Sequence, residues 1–486
     1  MKIAVIQFNS NSLHVAVTLE ILKKYARSTK ESNYFFWGIS TRYLSRSTQA
    51  SQSFSKKLPT RYRKIVLSAN PNVNYSTKMI FDDPWVQKIQ SQFYSQIVNM
   101  GSINDLNDLN YKGIKPGSAL INEITFLTRS SNPNMKKNLR LIMFLLNSYL
   151  QVYSATSLVI SSCKIERVYL YNGRFLHEKA VWDSAKQLGV DCKLYETMRD
   201  RYLLSNIGFH NRVNNQKIML KHWYRSNLKL QKKIEIGSKY FQDLESSLNK
   251  FYASERTELK MKQEYFVFYS SSDDEYAGLG SNWNKKLGGQ IECIEKLQEI
   301  FSAQDRYKLI IRIHPNLKNK STGEVSLWRS IKSVTNSSVI TEESNISSYR
   351  LLQSARGVIT FGSTIGLEAS FKRKPCLVLA DCGYDLLGVC DKANNWIEVV
   401  NWLQKGHIKS DKELTSRRTN ACIRGYYLAT GGTKFIYSSV KQTGGSGAWD
   451  ATSFAGIDIH KITPSYFYHR IVYKIKLIFL SIRFNI

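Results

Sequence analysis

Short apolar runs alternate with longer stretches of helical spacing along most of the chain. The runs are Ile3 to Phe8, Arg167 to Tyr171, Tyr265 to Tyr269, Leu309 to Ile313, Val358 to Phe361 and Cys376 to Leu379. Continuous apolar runs of this length are typical of strands that are buried on both faces of a parallel sheet. Their alternation with helical stretches predicts an α/β fold.

One stretch without a strand pattern, from Asn215 to about Glu258, separates two sets of these runs. It predicts helices that link two Rossmann-like halves facing a central cleft, with a ligand at the carboxyl ends of the strands. The predicted units are an N-terminal Rossmann-like domain (1–235), a helical linker (236–260), a C-terminal Rossmann-like domain (261–440) and a basic hydrophobic tail (441–486).

The charge balance narrows the classes of partner. Lysine and arginine number 69 against 38 acids, a net charge of +31, which favours nucleic acid, phospholipid or a phosphorylated substrate. No apolar run approaches the roughly 18 residues that span a bilayer. The seven cysteines form no CxxC pair, which favours a reducing compartment, and the N-terminus turns polar too early for a secretory signal. We therefore expect a cytoplasmic protein.

A basic segment lies between the two halves. From Arg201 to Ile234 there is no acid. Cations recur at every fourth position, at Lys217, Lys221, Arg225, Lys229 and Lys233, and Met219, Trp223, Leu230 and Ile234 fall on the other side of the helix. Two interpretations stay open: a helix that lies on an anionic membrane, or a linker helix whose apolar face packs on the core.

The last residues, Tyr466 to Ile486, also combine cations with large apolar residues and contain no acid. A terminal helix that packs on the first domain and an interfacial membrane anchor both fit this composition. Nucleic acid is not expected as a partner, because no helix-turn-helix, zinc-finger or RNP-like pattern is present.

The strongest local motif is VITFGSTIGLEA, from Val358 to Ala369. A strand leads into a turn of small residues, Gly362, Ser363, Thr364 and Gly366, and a helix follows. Free backbone N–H groups at such a turn predict a phosphate site. Glu368, about one helical turn later, is a candidate for binding ribose hydroxyls. The alternative is that Ser363 only caps the helix and that Glu368 is a surface acid.

Two further strands end in polar side chains. LIIRIHPN brings His314, Pro315 and Asn316 to a strand end, where His314 can donate to a phosphate oxygen. FVFYSSSDDEYAG ends in hydroxyls and acids, of which Ser271, Ser272, Asp274 and Glu275 are candidates for binding substrate. The acids fit an ordinary helix-capping cluster equally well.

The first half offers candidates for proton transfer. His14 follows the first strand, and a neutral imidazole there could take a proton from an acceptor hydroxyl. Asn172 and Arg174 follow a strand in YNGR, and Glu196 ends the next one in LYETMRD. Arg174 can clamp a carboxylate or phosphate, and Glu196 is the rival general base.

Several chemistries lack their motifs. No His, Cys and Asp spacing suits a metal, and no P-loop, GxGxxG or GxSxG is present. We therefore expect no metal and no cofactor.

Taken together, the motifs resemble those of the bacterial capsule polysaccharide biosynthesis proteins, a GT-B-type glycosyltransferase-like group. The matching pieces are NSLH, YNGR with the following YE, SSSDDE, RIHPN and FGSTIGLEA with KP after it, in family order from about residue 9 to residue 390. RIHPN and GSTIGLEA also look like elements of UDP-N-acetylglucosamine 2-epimerases. Ser363 and Thr364 replace the paired glycines of those enzymes, and Leu367 replaces their first glutamate.

The resemblance implies a nucleotide sugar in the second domain, with His314 and the Ser363 turn at its phosphates and Glu368 at its ribose, and an acceptor in the first. It implies a metal-independent GT-B glycosyltransferase that acts on a capsule or lipopolysaccharide O-antigen glycan, free or lipid-linked, peripherally at the inner membrane face. A nucleotide-sugar epimerase, a CDP-alditol phosphotransferase and a noncatalytic membrane-surface glycan-binding scaffold remain alternatives.

Overall fold

The computed structural model describes residues 1–8, 11–26, 33–37, 60–76, 84–251, 263–271, 286–315, 317, 320–443 and 448–459. Four candidate site residues, Ser272, Asp274, Glu275 and Asn316, lie outside this part of the chain, as does the segment 460–486 that contains most of the predicted tail.

The first half is built on a seven-stranded sheet in the order β13-β6-β5-β4-β1-β2-β3. Its strands are β1 (Ile3–Gln7), β2 (Asn33–Trp37), β3 (Val73–Ser76), β4 (Arg167–Tyr171), β5 (Asp191–Met198), β6 (Arg201–Ser205) and β13 (Thr433–Lys434). The five strands from β5 to β3 in this order are parallel to one another. Strand β6 pairs antiparallel with β5, and β13 pairs antiparallel with β6. Ala4 and Ile6 join one core cluster, while Ile3 and Val5 join another on the opposite face. Burial on both faces explains the continuous apolar runs.

Helices cover both faces of this sheet. They are α1 (Ser12–Ala26), α2 (Thr60–Ala69), α3 (Pro84–Ile97), α4 (Gly117–Thr128), α5 (Met135–Cys163) and α6 (Leu176–Gln187), with a 3-10 helix at Ile103–Asp108. Of the helices in the described residues, α5 alone is long and apolar enough to cross a membrane by length and composition, which the sequence had not led us to expect. Most of its apolar stretch is buried within the protein, where it packs into the core.

The second half is built on a fully parallel six-stranded sheet in the order β12-β11-β10-β7-β8-β9. Its strands are β7 (Tyr265–Tyr269), β8 (Lys308–Arg312), β9 (Ser337–Ile340), β10 (Gly357–Thr360), β11 (Cys376–Val378) and β12 (Asp391–Lys392). The crossover helices are α9 (Gln290–Ser302), α10 (Thr322–Arg329), α11 (Ser348–Ser354) and α12 (Ile365–Phe371). Helix α13 (Trp396–Asn401) follows β12 and is continued by a π-helix at Trp402–Gly406. The predicted α/β fold with two Rossmann-like halves is confirmed.

Three helices join the halves: α7 (Arg212–Arg225), α8 (Leu230–Phe251) and α14 (Asp411–Thr430). Helices α8 and α14 cross in backbone contact, because Gly237 and Gly425 meet there. A Cβ on Gly425 would overlap the Gly237 carbonyl, and one on Gly237 would overlap the Cys422 carbonyl. Only glycine permits so close an approach. The domain bounds given above stay predictions.

The apolar face of the basic helix packs inward. Met219 and Trp223 are buried, and Trp223 meets the ring of Tyr426 edge-on at 5.4 Å. Lys233 is buried as well, and its Nζ donates to the Trp223 carbonyl at 3.0 Å. The interpretation in which this tryptophan face lies on a membrane is therefore wrong, because the core already covers it.

After α14 the chain returns to the first half. Strand β13 pairs with β6, and then β14 (Ser438–Thr443), β15 (Ala448–Phe454) and β16 (Ile457–Asp458) form a small antiparallel sheet against α1. Glu20 of α1 is buried and accepts hydrogen bonds from the N–H groups of Ile436, Tyr437 and Ser438. This carboxylate fixes the returning segment to the first half.

Candidate functional site

A cavity of about 460 Å³ opens where the carboxyl ends of β4 and β5 face α7 and α14. Its lining combines aromatic rings with polar groups: Tyr171, Asn172, Arg174, Phe175, Glu196, Leu203, Phe209, His210, Asn215, Met219, Arg424, Tyr427 and Leu428. Three residues predicted from the sequence, Asn172, Arg174 and Glu196, are thus brought together. Flat apolar rings beside hydrogen-bonding groups suit the binding of a sugar or another polar organic molecule.

The turn after β4 determines where two of these side chains lie. Asn172 and Gly173 have positive φ values of 47° and 78°, and the Asn172 N–H donates to the Tyr195 carbonyl at 2.9 Å. A Cβ on Gly173 would meet the side chains of Trp182 and Leu194 at 2.9 to 3.0 Å, so the turn requires glycine. The tight turn keeps Asn172 and Arg174 at the strand end, in the cavity wall.

Glu196 is the carboxylate of this cavity. Its Oε2 accepts a hydrogen bond from Asn172 Nδ2 at 2.5 Å, and its Oε1 accepts from the Thr197 N–H at 3.1 Å. Burial raises the pKa of Glu196, and the Asn172 hydrogen bond and the Arg174 charge offset only part of that increase. The Asn172 Oδ1 is buried and accepts no hydrogen bond from the described residues. The described residues therefore leave this oxygen's acceptor capacity unused.

His14 lies one ring away from this cavity. Its imidazole is buried and meets the Tyr171 ring edge-on at 4.0 Å, and Tyr171 forms part of the cavity wall. Burial lowers the pKa of His14 to about 3, so the ring is neutral. Of the two candidate bases, Glu196 lines the cavity and His14 does not.

The opposite wall contains residues that the sequence analysis missed. His210 follows β6, and Arg424 and Tyr427 lie on α14. Burial, together with the nearby charges of Arg174, Lys179 and Lys186, lowers the pKa of His210 to about 4. No motif contains these residues, and more than 200 positions separate His210 from Arg424, so only the folded chain brings them together.

In the second half, Ser271 and His314 come together at the carboxyl ends of β7 and β8. The His314 N–H donates to Ser270 Oγ at 2.8 Å, and the Ser271 N–H donates to Gln290 Oε1 at 2.7 Å. They line a small space of about 10 Å³, and Lys320 and Glu324 lie on its other side. Pro315 follows directly. The sequence analysis placed each of the two residues at the end of a strand.

The turn after β10 uses its amides internally. The N–H groups of Gly362 and Ser363 donate to Thr360 Oγ1 at 3.2 and 3.0 Å, and the Ser363 carbonyl accepts from the Tyr384 hydroxyl at 2.5 Å. Gly366 lies under that hydroxyl, which a Cβ would overlap. Thr364 N-caps the short helix α12 but makes no side-chain capping hydrogen bond. Two of the amides predicted to bind phosphate are therefore already bonded.

Glu368 is buried behind this turn rather than at the surface. Its Oε2 accepts a hydrogen bond from the Tyr349 hydroxyl. Burial raises the pKa of Glu368 to about 7, while Tyr349 and Lys372 act to lower it and Glu245 to raise it. The carboxyl group thus changes its charge near neutral pH.

A buried ion-pair cluster joins α7 to the loop after β11. Arg212 contacts both carboxylate oxygens of Asp385, at 2.7 and 2.6 Å, and Asp381 at 3.2 Å. Lys392 contacts both acids, and Gln216 Nε2 donates to Asp385 Oδ1 at 3.0 Å. The cluster holds the beginning of α7, and with it one wall of the cavity, against the second half.

The halves also meet at a second place. The Ser321 N–H donates to the Arg129 carbonyl at 2.9 Å, and the Ser131 N–H donates to Glu324 Oε2 at 2.8 Å. Glu324 also borders the space beside His314, so the first half touches the second next to that residue. Among the described residues, no group of three or more His, Cys, Asp or Glu side chains is arranged to hold a metal ion.

With this geometry in place, comparison with known families gives an assignment. A family profile described as "Capsule polysaccharide biosynthesis protein" matches residues 210–425, from the cavity wall to α14. Residues 210–425, a little under half of the chain, are thus similar to capsule polysaccharide biosynthesis proteins. The resemblance found in the motifs is confirmed, and a search of curated proteins finds no match to the chain.

Solved structures similar to this chain include two kinds of enzyme. The Thermosulfurimonas dismutans KpsC beta Kdo 2,4 transferase is 11% identical over 52% of this chain and 79% of its own, with a TM-score of 0.33. The Neisseria meningitidis UDP-GlcNAc 2-epimerase is 9% identical over 88% of this chain and 98% of its own, with a TM-score of 0.29. The Methanocaldococcus jannaschii UDP-GlcNAc 2-epimerase is 14% identical over 85% of this chain and 97% of its own, with a TM-score of 0.30.

Proposed function

We propose that the chain is a glycosyltransferase of capsule or O-antigen assembly that moves a sugar from a nucleotide donor to a glycan or lipid-linked glycan without a metal ion. The observation that carries the proposal is the cavity in which Glu196, Arg174 and Asn172 meet aromatic walls. The capsule family match and the transferase named among the similar structures agree with it.

In the proposed reaction, Glu196 takes the proton of an acceptor hydroxyl. The hydroxyl oxygen then bonds to the anomeric carbon of the donor, and the bond from that carbon to the phosphate oxygen breaks with inversion. The nucleotide leaves with the electron pair, and Ser271, His314 and the Ser363 turn stabilise its phosphate. A base works best when its pKa lies near the working pH, and burial raises the pKa of Glu196 in that direction.

The experiment has two stages. Thermal-shift measurements with UDP, CMP, CDP, GDP and their sugars identify the donor, because a ligand that binds only the folded protein raises its melting temperature. Release of that nucleotide is then measured with and without a lipid-linked glycan extract. We expect release to depend on the extract and to fall about 100- to 10,000-fold in Glu196→Gln, with nucleotide binding kept.

Glu295→Gln, an exposed change on α9, is the matched control and should leave release unchanged. Wild-type activity in Glu196→Gln would remove the proposed base. Conversion of the donor without the extract would indicate an epimerase instead. No thermal shift with any nucleotide would indicate the noncatalytic scaffold.

The proposal also includes a location, the cytoplasmic face of the inner membrane, with an anionic membrane surface as partner. The net charge of +31 supports it.

A further inference from the structure

The outward face of α7 combines exposed cations with exposed large apolar side chains. Val213, Lys217, Lys221 and Tyr224 follow one another at helical spacing along that face. All four are exposed, and Tyr224 most of all, at 73%. A single exposed apolar residue is ordinary, but large apolar side chains grouped with cations mark a candidate interaction surface.

The same pattern continues beyond the helix. From the last residue of the helix onward, cations again alternate with leucines, and all four of these side chains are exposed: Arg225, Leu228, Lys229 and Leu230. The exposed fraction of Leu230 is 56%. Lys217, Lys221, Arg225 and Lys229 form no ion pair with the described residues, and no acid occurs between Arg201 and Ile234. We call this surface, from Val213 to Leu230, the α7 outer face.

We propose that the α7 outer face docks on the surface of an anionic lipid bilayer. The cations are complementary to anionic headgroups, and the tyrosine and the aliphatic side chains enter the interface between headgroups and acyl chains. The chain's own segment 466–486 is excluded as occupant by charge, since it is basic and contains no acid. A nucleic acid would use the cations and the aromatic ring but would leave the leucines without contacts.

The inner face of the same helix explains what docking achieves. Asn215 and Met219 of α7 line the cavity of Glu196, so the helix alone separates that cavity from the α7 outer face. A helix with its side chains is roughly 10 Å across. Docking therefore holds the cavity within about one helix width of the membrane surface, where a lipid-linked acceptor lies. This last step rests on the proposed function, and the docking itself does not.

The test is cosedimentation of the full chain with phosphatidylcholine vesicles that contain or lack phosphatidylglycerol. We expect binding only to the anionic vesicles, and on the order of a 100-fold loss of affinity in the variant K217Q/K221Q/R225Q/K229Q. The matched control, K88Q/K115Q/K136Q/R140Q, removes the same charge from exposed positions of the first half and should bind like wild type.

A second variant tests the apolar contribution. Tyr224→Ser should weaken binding about tenfold at low and high salt alike, whereas the effect of the four cations should shrink as salt screens them. If the quadruple variant and its control lost equal affinity for the anionic vesicles, the proposal would be overturned, because the net charge of the protein alone would explain the binding. Undiminished binding by the quadruple variant would overturn it in favour of another surface.

Two further measurements, oligonucleotide binding and melting temperature, separate membrane docking from nucleic-acid binding and from loss of the fold. Wild type that binds an oligonucleotide through these cations but not the vesicles would overturn the proposal in favour of nucleic acid. The melting temperature of each variant, with and without the stabilising nucleotide, shows that the fold and the donor site are intact. Loss of vesicle binding with an unchanged nucleotide shift therefore concerns docking alone, and failure of the transferase assay leaves it standing.

Discussion

The two halves present their polar groups differently at the carboxyl ends of their strands. In the first half, Asn172 and Glu196 border a cavity of about 460 Å³. In the second half, the amides of Ser271 and Ser363 are bonded to the protein, and the space beside His314 is about 10 Å³. The first edge thus has space beside its polar groups, whereas at the second edge the protein already uses these amides. Substitutions should therefore cost stability at the second edge and activity at the first.

The largest loss of stability is expected at Asp385. Its carboxylate is fully buried and contacts Arg212, Lys392 and Gln216, so Asp385→Asn leaves the two cations with Asp381 as their remaining carboxylate partner in this cluster. Breaking a buried pair typically costs about 3–5 kcal/mol of unfolding free energy. Chemical denaturation measures it, with Glu299→Gln, which breaks an exposed pair with Lys296, as the matched control without measurable change. Equal values for the two variants would show that the cluster does not hold this edge.

Glu368 should make the stability of the second half depend on pH. Burial raises its pKa to about 7 in the folded protein, so the wild type loses stability as the pH rises from the ordinary carboxyl value through 7. Glu368→Gln does not titrate there. The variant should gain up to about 3 kcal/mol relative to wild type between acidic and mildly alkaline pH.

Tyr349→Phe sharpens this measurement. The tyrosine hydroxyl donates to Glu368 and lowers its pKa, so its removal should move the pH-dependent loss to higher pH. A constant difference between Glu368→Gln and wild type at all pH values would contradict the buried, titrating carboxyl group.

A smaller loss is expected at Gly366. A Cβ there overlaps the Tyr384 hydroxyl, so Gly366→Ala should cost about 2 kcal/mol through overpacking. Tyr384→Phe alone should cost about 1 kcal/mol, because the Ser363 carbonyl loses its donor. The double variant should lose less than the sum, since the removed hydroxyl makes room for the new methyl group. Strict additivity would show that the turn relieves the overlap in another way.

Some features of both halves could be predicted from the sequence, and others could not. The strands of both sheets were predictable, because burial on both faces leaves a continuous apolar run such as that of β7. The polar side chains at their ends were predictable too, since parallel strands bring them to one edge. The bonding of the Ser363 amide was not, because the motif from Val358 to Ala369 contains Thr360 but does not show that its hydroxyl turns back to accept from that amide.

Distance along the chain explains what else the sequence concealed. The cavity wall formed by Arg424 and Tyr427, and the return of residues 438–458 to α1, join segments hundreds of positions apart. Strand β14, SSVKQT, has no apolar run, because one face of this small sheet is exposed. Its pairing is determined by tertiary contacts with Glu20, which leave no local pattern.

At the first edge, Arg174→Gln should change the pH dependence of the reaction and little else. Arg174 is half-exposed in the cavity wall, so its loss should change the unfolding free energy by less than about 1 kcal/mol.

Its charge lowers the pKa of Glu196, so without it that pKa rises, and the fall of kcat/KM on the acidic side should begin at higher pH. The matched control is Arg424→Gln on the opposite wall, whose charge is not among the influences on Glu196, and its profile should stay in place. If the pH profile shifted equally in both variants, the total charge of the cavity, rather than Arg174 in particular, would determine the pKa of Glu196. An unmoved profile in Arg174→Gln would mean that the group titrating in the reaction is not Glu196, and the first edge would then lose the proposed base while keeping its cavity.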